Sequence, residues 1–82
     1  MAFFKGYKSR IYPNPNQGNF TIDITPSNIP TKVEIFNTLG QIIYLDNIFH
    51  TQKFDLMLEN GVYLIRLTNG KRISNQRILV KP

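Results

Sequence analysis

Apolar and polar residues alternate over short stretches along most of the chain, and no segment repeats apolar residues at helical spacing over three turns. The pattern therefore predicts strands. Phe20, Ile22 and Ile24 alternate with Thr21, Asp23 and Thr25, which reads as a half-buried strand with the three apolar residues inward. Pro26 to Pro30 breaks the pattern. It restarts at Lys32–Asn37, with Val33 and Ile35 on one face and Phe36 able to cover the other. Asn37-Thr38-Leu39-Gly40 suits a type I turn with a following bulge, and Gln41–Leu45 returns as the partner strand. Phe54, Leu56 and Leu58, alternating with Lys53, Asp55 and Met57, predict another strand, closed by a turn at Glu59-Asn60-Gly61. Gly61–Thr68 is apolar on both parities as far as Arg66, which predicts a central strand covered on both sides. Asn69-Gly70 is a hairpin signal for a type I′ turn, in which both central residues need positive φ. Lys71–Val80 is then the return strand. Ile73 has the opposite parity to Ile78 and Val80, so a bulge near Ser74-Asn75-Gln76 is expected to turn all three inward.

Ahead of these strands, Tyr12 to Asn19 holds two prolines, three asparagines and a glycine, the composition of a rigid opening loop. Residues 1–10 show neither period nor turn chemistry and read as a linker or expression remnant, which leaves 11–82 as the folded domain. About six to seven short strands in some seventy residues predict an all-β fold, a small antiparallel immunoglobulin-like β-sandwich. A chain of 82 residues holds one domain, whose stability is expected at about 4 to 12 kcal/mol. With no cysteine there is neither a disulfide framework nor a thiolate metal site, so apolar packing must hold the fold.

The formal charge of +5 is uneven: Lys5, Lys8 and Arg10 open the chain, Arg66, Lys71, Arg72, Arg77 and Lys81 close it, and residues 11–65 carry −3. Cations spread over a terminal hairpin read first as a solvated strand face. The apolar run Ala2–Phe4 is too short for a signal-peptide core or a membrane span, so neither an export signal nor direct membrane insertion is expected from this start.

The inventory for catalysis is thin, with one histidine, three serines and five carboxylates. Asp23, Glu34, Asp46, Asp55 and Glu59 fall on outward strand positions or turns and read as solvated surface. His50 has no second ligand at metal spacing. No enzyme activity, cofactor or metal is expected. Two other functional classes are compatible with a small β-sandwich. A carbohydrate-binding or adhesion appendage would stack sugars on Tyr7, Tyr12 or Tyr44. A single-strand nucleic-acid binder would pair Tyr63 with Arg66 and Phe36 with Lys32, but needs exposed rings where the parity puts core, so no nucleic-acid partner is expected.

Three segments in order resemble one family, the type A C-terminal sorting domains of the type IX secretion system of Gram-negative bacteria. Tyr12-Pro13-Asn14-Pro15, with Gly18, Phe20 and Ile22 after it, is similar to the family's opening motif. Val33 to Ile43, with Asn37 and then Gly40-Gln41, resembles its middle hairpin. Phe54–Leu58, Gly61-Val62-Tyr63-Leu64-Ile65-Arg66-Leu67 and Gln76 to Val80 resemble its closing block. Arg77 stands where the family commonly shows Lys.

The resemblance implies a non-catalytic secretion signal at the C-terminus of a larger cargo. Its partners would be the type IX translocon and a sortase-like peptidase, with the cargo domain absent from this chain. The route would run through the periplasm to the cell surface or the medium. Pro13, Asn14, Pro15, Gly18, Gly40, Gln41, Gly61, Tyr63, Arg72, Arg77, Ile78, Val80 and Lys81 are the recognition candidates. The terminal hairpin is the expected contact surface: Arg72, Arg77 and Lys81 would steer, Ile78 and Val80 would fix the strand, and an exposed edge could be read by β-augmentation.

Overall fold

A computed structural model describes residues 8–82. It has seven strands: β1 Ser9–Tyr12, β2 Asn19–Ile24, β3 Thr31–Phe36, β4 Ile42–Ile48, β5 Gln52–Asp55, β6 Gly61–Asn69 and β7 Arg72–Val80. They form two antiparallel sheets, ordered β1-β2-β5 and β4-β3-β6-β7. In immunoglobulin lettering this is A-B-E over C′-C-F-G, so the expected all-β sandwich is the fold observed. The first strand begins at Ser9, two residues inside the segment read as linker; Arg10 pairs with Asp23 in register and in charge, with Nη2 3.3 Å from Oδ2. Residues 1–7 of that segment lie outside the described residues.

The core lies where period-2 alternation puts it. Phe20, Ile22 and Ile24 of β2, with Ile11 and Phe54, face Val33, Ile35, Ile65, Leu67, Ile78 and Val80 of the other sheet. Phe20 stacks on Phe54 with centroids 5.6 Å apart, and Tyr44 meets Phe54 edge-on at 5.9 Å. Each fully buried aliphatic side chain contributes about 1.5 to 3 kcal/mol. The Asn37–Gln41 turn has the expected form: Gly40 N donates to Asn37 O at 3.0 Å, Gly40 takes φ +83, and a register shift at Ile35/Phe36 leaves Ile43 as the extra residue.

Five expectations are corrected. β7 has no bulge, because nine consecutive pairs from Gly61↔Val80 to Asn69↔Arg72 keep one register, and Ile73 stays on the outer face, 63% exposed. The last turn lies one residue later, at Gly70-Lys71. Gly70 takes φ +62 and no other residue type has positive φ among the described residues, which fits a type II′ turn. Asn69 remains in β6 because its inward side chain is held: Nδ2 donates to Thr31 Oγ1 at 3.1 Å and to Ile29 O at 3.3 Å.

β5 ends at Asp55 where a strand to Leu58 was expected. Leu56 N donates to Gly18 O at 2.8 Å, and Leu56 and Leu58 pack on the core from irregular backbone. Two carboxylates are not solvated outward groups: Glu34 is buried beside Arg66, and Asp46 shares the inward face with Val33 and accepts from Tyr44 Oη at 3.1 Å. Finally, β6 is covered on one side only, since Val62, Leu64 and Arg66 lie on an outer face that no element of the described chain overlies.

Candidate functional site

After β1 leaves the three-stranded sheet, the opening loop crosses to the other sheet and attaches to the outer edge of β7. Asn14 makes that attachment with its side-chain amide, which has the donor and acceptor of a peptide group. Its Nδ2 donates to Arg77 O at 2.9 Å, and its Oδ1 accepts from Leu79 N at 2.9 Å. Asn16 continues with main chain, donating to Leu79 O at 3.0 Å and accepting from Lys81 N at 2.8 Å in a parallel bridge to Val80. The loop thus acts as one more short strand on an edge that would otherwise be open.

The loop holds its own shape. Asn16 is buried, and its Nδ2 donates to Pro13 O at 3.0 Å while its Oδ1 accepts from Gly18 N at 2.8 Å. The Tyr12–Pro13 and Asn14–Pro15 bonds are both cis. Gly18 is required twice over: its φ is +102, and a Cβ there would run into the carbonyl oxygen of Leu56. Of the opening motif, Asn14 is brought against the backbone of Arg77 and Leu79, with Pro13 and Pro15 flanking it in the loop, while Gly18 meets Leu56 just past the end of β5. Ile78 and Val80 are buried at 1% and 2% and anchor the strand from inside.

Tyr63 is core, and its Oη donates to Glu59 O at 2.6 Å, four residues upstream. That is the tyrosine corner of immunoglobulin-type sandwiches, at the start of the F-equivalent strand. Gly61 opens the same strand opposite Val80. Gln41 fastens its hairpin: its N donates to Asn37 Oδ1 at 3.0 Å, and its Oε1 accepts from Asn37 Nδ2 at 2.8 Å. Because Phe36 pairs with Leu64 and Gly61 with Val80, Gly40 and Gln41 lie at the same end of the sandwich as the opening loop and the chain's last residues.

Arg72 does not join them. It lies at the far end of β7, about 30 Å of extended strand from Lys81, and on the opposite parity to Arg77. The cations pictured as one steering cluster are thus divided between two ends. Near Arg72, between β1 and the start of β7, an open groove of about 970 Å³ is lined by Lys8, Arg10, Asp23 and Ile73 among others. Asn16 and Asn69 are the structurally decisive residues that were not singled out as candidates; their signal is a polar residue at a position the fold buries.

The tyrosines weighed for sugar stacking do not share a surface. Tyr12 lies under the Arg10 guanidinium, 4.8 Å from its ring centroid, on one sheet, and Tyr44 lies against Phe54 from the other. Tyr7 is outside the described residues. Burial first, then the hydrogen bond to Asp46 and its charge, raise the Tyr44 phenol above its ordinary 10.0. Phe36 is outward and half-buried, with the Arg66 guanidinium 5.0 Å from its centroid. His50 is exposed, and the described residues include no group of three His, Asp or Glu able to hold a metal.

Comparison with known proteins gives two findings. The profile of a family described as "Secretion system C-terminal sorting domain" matches residues 10–81. The chain is also similar to the ulvan lyase NLR42 of Nonlabens ulvanivorans, 33% identical over 76 residues, covering 85% of this chain and 14% of the lyase. The chain therefore spans about a seventh of the length of that curated relative.

Proposed function

The chain belongs to the secretion system C-terminal sorting domain family, and we propose that it is the address that takes a larger protein, joined on its N-terminal side, through the type IX translocon. On this reading the domain passes from the periplasm to the cell surface or medium with its cargo, and a sortase-like peptidase then removes it. The domain performs no chemistry itself. Its contribution is a folded surface.

The observation that carries the reading is the coincidence of two boundaries. The family match runs from Arg10 to Lys81, and the folded unit runs from β1 to the residue that Asn16 fastens beyond β7. Motif residues from the two ends of the sequence meet at that fastening, so the family's signature is a three-dimensional unit. The similarity to a small part of a protein named as a lyase supports a role as an appendage whose identity is separate from its cargo's activity.

The test is transfer. A periplasm-targeted fluorescent protein fused ahead of this chain reaches the surface or medium in a host with a working type IX translocon and not in a matched host without one, and deleting residues 72–82 abolishes the transfer. Reporter left in the periplasm of both hosts, with the domain folded, contradicts the proposal.

A further inference from the structure

The two outer faces of the sandwich differ in kind. On the three-stranded sheet, the outward residues are Arg10, Tyr12, Asn19, Thr21, Asp23, Lys53 and Asp55, a polar face with balanced charge. On the four-stranded sheet, cross-strand pairing gathers Phe36, Ile42, Leu45, Val62, Leu64 and Leu79 toward one end of the outer face. Ile42, Leu45, Val62 and Leu79 are 51%, 59%, 42% and 38% exposed. No element among the described residues covers them. Contiguous apolar patches of more than a few hundred Å² on a small domain mark interaction surfaces.

The charges around this patch indicate what covers it. Its face carries Lys32, Arg66 and Arg77 against a single carboxylate, Glu34, which Arg66 Nη1 approaches at 3.9 Å. Arg77 and Lys32 have no ion pair among the described residues. Arg77 lies beside Leu64 in register, directly against the apolar residues. A second copy laid on this face would set these cations against each other. A bilayer is a poor fit because the apolar side chains are carried on a sheet and not on an amphipathic helix, and Phe36, the one aromatic among the described strand residues of this face, lies under a guanidinium.

We infer that the outer face of the four-stranded sheet, centred on Leu45, Val62 and Leu79 with Arg77 among them, docks the domain on an apolar, carboxylate-rimmed surface of a secretion-machinery protein. This rests on the sorting function proposed above and names the face that serves it. The opening loop belongs to the same device: Asn14 grips the backbone of Arg77 and Leu79, so the strap that closes the β7 edge also fixes one border of the patch.

The experiment uses the reporter fusion in the translocon-competent host. Leu45→Thr, Val62→Thr and Leu79→Thr together keep β-compatible side chains at exposed positions, and thermal melting of the purified chain checks that the fold is intact. This variant is expected to export at least tenfold less reporter than the parent. Thr21→Ser, Lys53→Thr and Asp55→Asn on the opposite face export like the parent. Arg77→Glu loses export and Arg77→Lys keeps it.

A photo-crosslinker at position 45 is expected to give an adduct in the competent host alone, lost with Arg77→Glu. If the parent is exported and the folded triple variant is exported equally, the docking face is overturned while the sorting function stands. If the parent itself is not exported, the sorting function fails and the inference with it. Co-sedimentation of the parent chain with phosphatidylglycerol vesicles that the triple variant loses would assign the face to lipid, and a dimer that the triple variant loses would assign it to a second copy; either overturns the inference.

Discussion

Asn14 replaces a peptide group with a side chain, and its two hydrogen bonds reach sixty-three and sixty-five residues along the sequence. Because it is exposed, Asn14→Ala leaves Arg77 O and Leu79 N to water and not to a dry interior, and the expected loss is about 1 to 2 kcal/mol. Hydrogen exchange at the Leu79 amide should accelerate by more than this global change explains. Tyr63→Phe removes a part-buried hydrogen bond, and about 1 kcal/mol is expected to lower the melting temperature by about 4 to 8 °C for a domain of this size. Tyr44 sets an alkaline limit. Its folded-state pKa is raised, so its contribution is complete below the ordinary 10.0 and is lost as pH rises through the higher folded value. Melts at rising alkaline pH should show this decline, and Tyr44→Phe should flatten it.

At the scale of elements, β7 separates two isoleucines that sequence reading treated alike. Ile78 is 1% exposed and Ile73 is 63% exposed, so Ile78→Ala should cost about 2 to 5 kcal/mol in a denaturant titration. Ile73→Thr should stay within about 0.5 kcal/mol. The parity of β2 was readable because it has one wet face and one dry face, and a period of two records that difference directly; in β3 the same period placed Val33 and Ile35 inward but not the burial of Glu34 on the outer face. Parity in β6 and β7 misled, because their outer face is also apolar, and apolar on both sides looks like burial on both sides. The Asn37 turn was legible from local chemistry alone. The Gly70 turn was not, since a contact across the sheets, Asn69 to Thr31, decides which residue begins it. The same limit applies to the candidate site: Pro13, Asn14, Gly18 and the residues of β7 could each be named, but that Asn14 and Asn16 close the edge of β7 depends on a topology no local pattern carries.

For the molecule as a whole, the arrangement is a sandwich strapped at one end, where the opening motif, the middle turn and the closing strand converge. One sheet faces outward with polar residues and the other with an apolar, cationic patch. The central claim is that the sorting signal is this folded surface and not a string of motif residues. Ile48 tests it directly, being 2% exposed and outside every motif segment. Ile48→Asp puts a carboxylate in the core, and removing that charge from water costs more than a domain of this size can spare. In the reporter fusion every motif residue then remains while the fold is lost. We predict that the parent fusion reaches the medium of a translocon-competent host and that the Ile48→Asp fusion stays in the periplasm, measured by immunoblot of both compartments. Equal export of an Ile48→Asp domain shown to be unfolded would contradict the account.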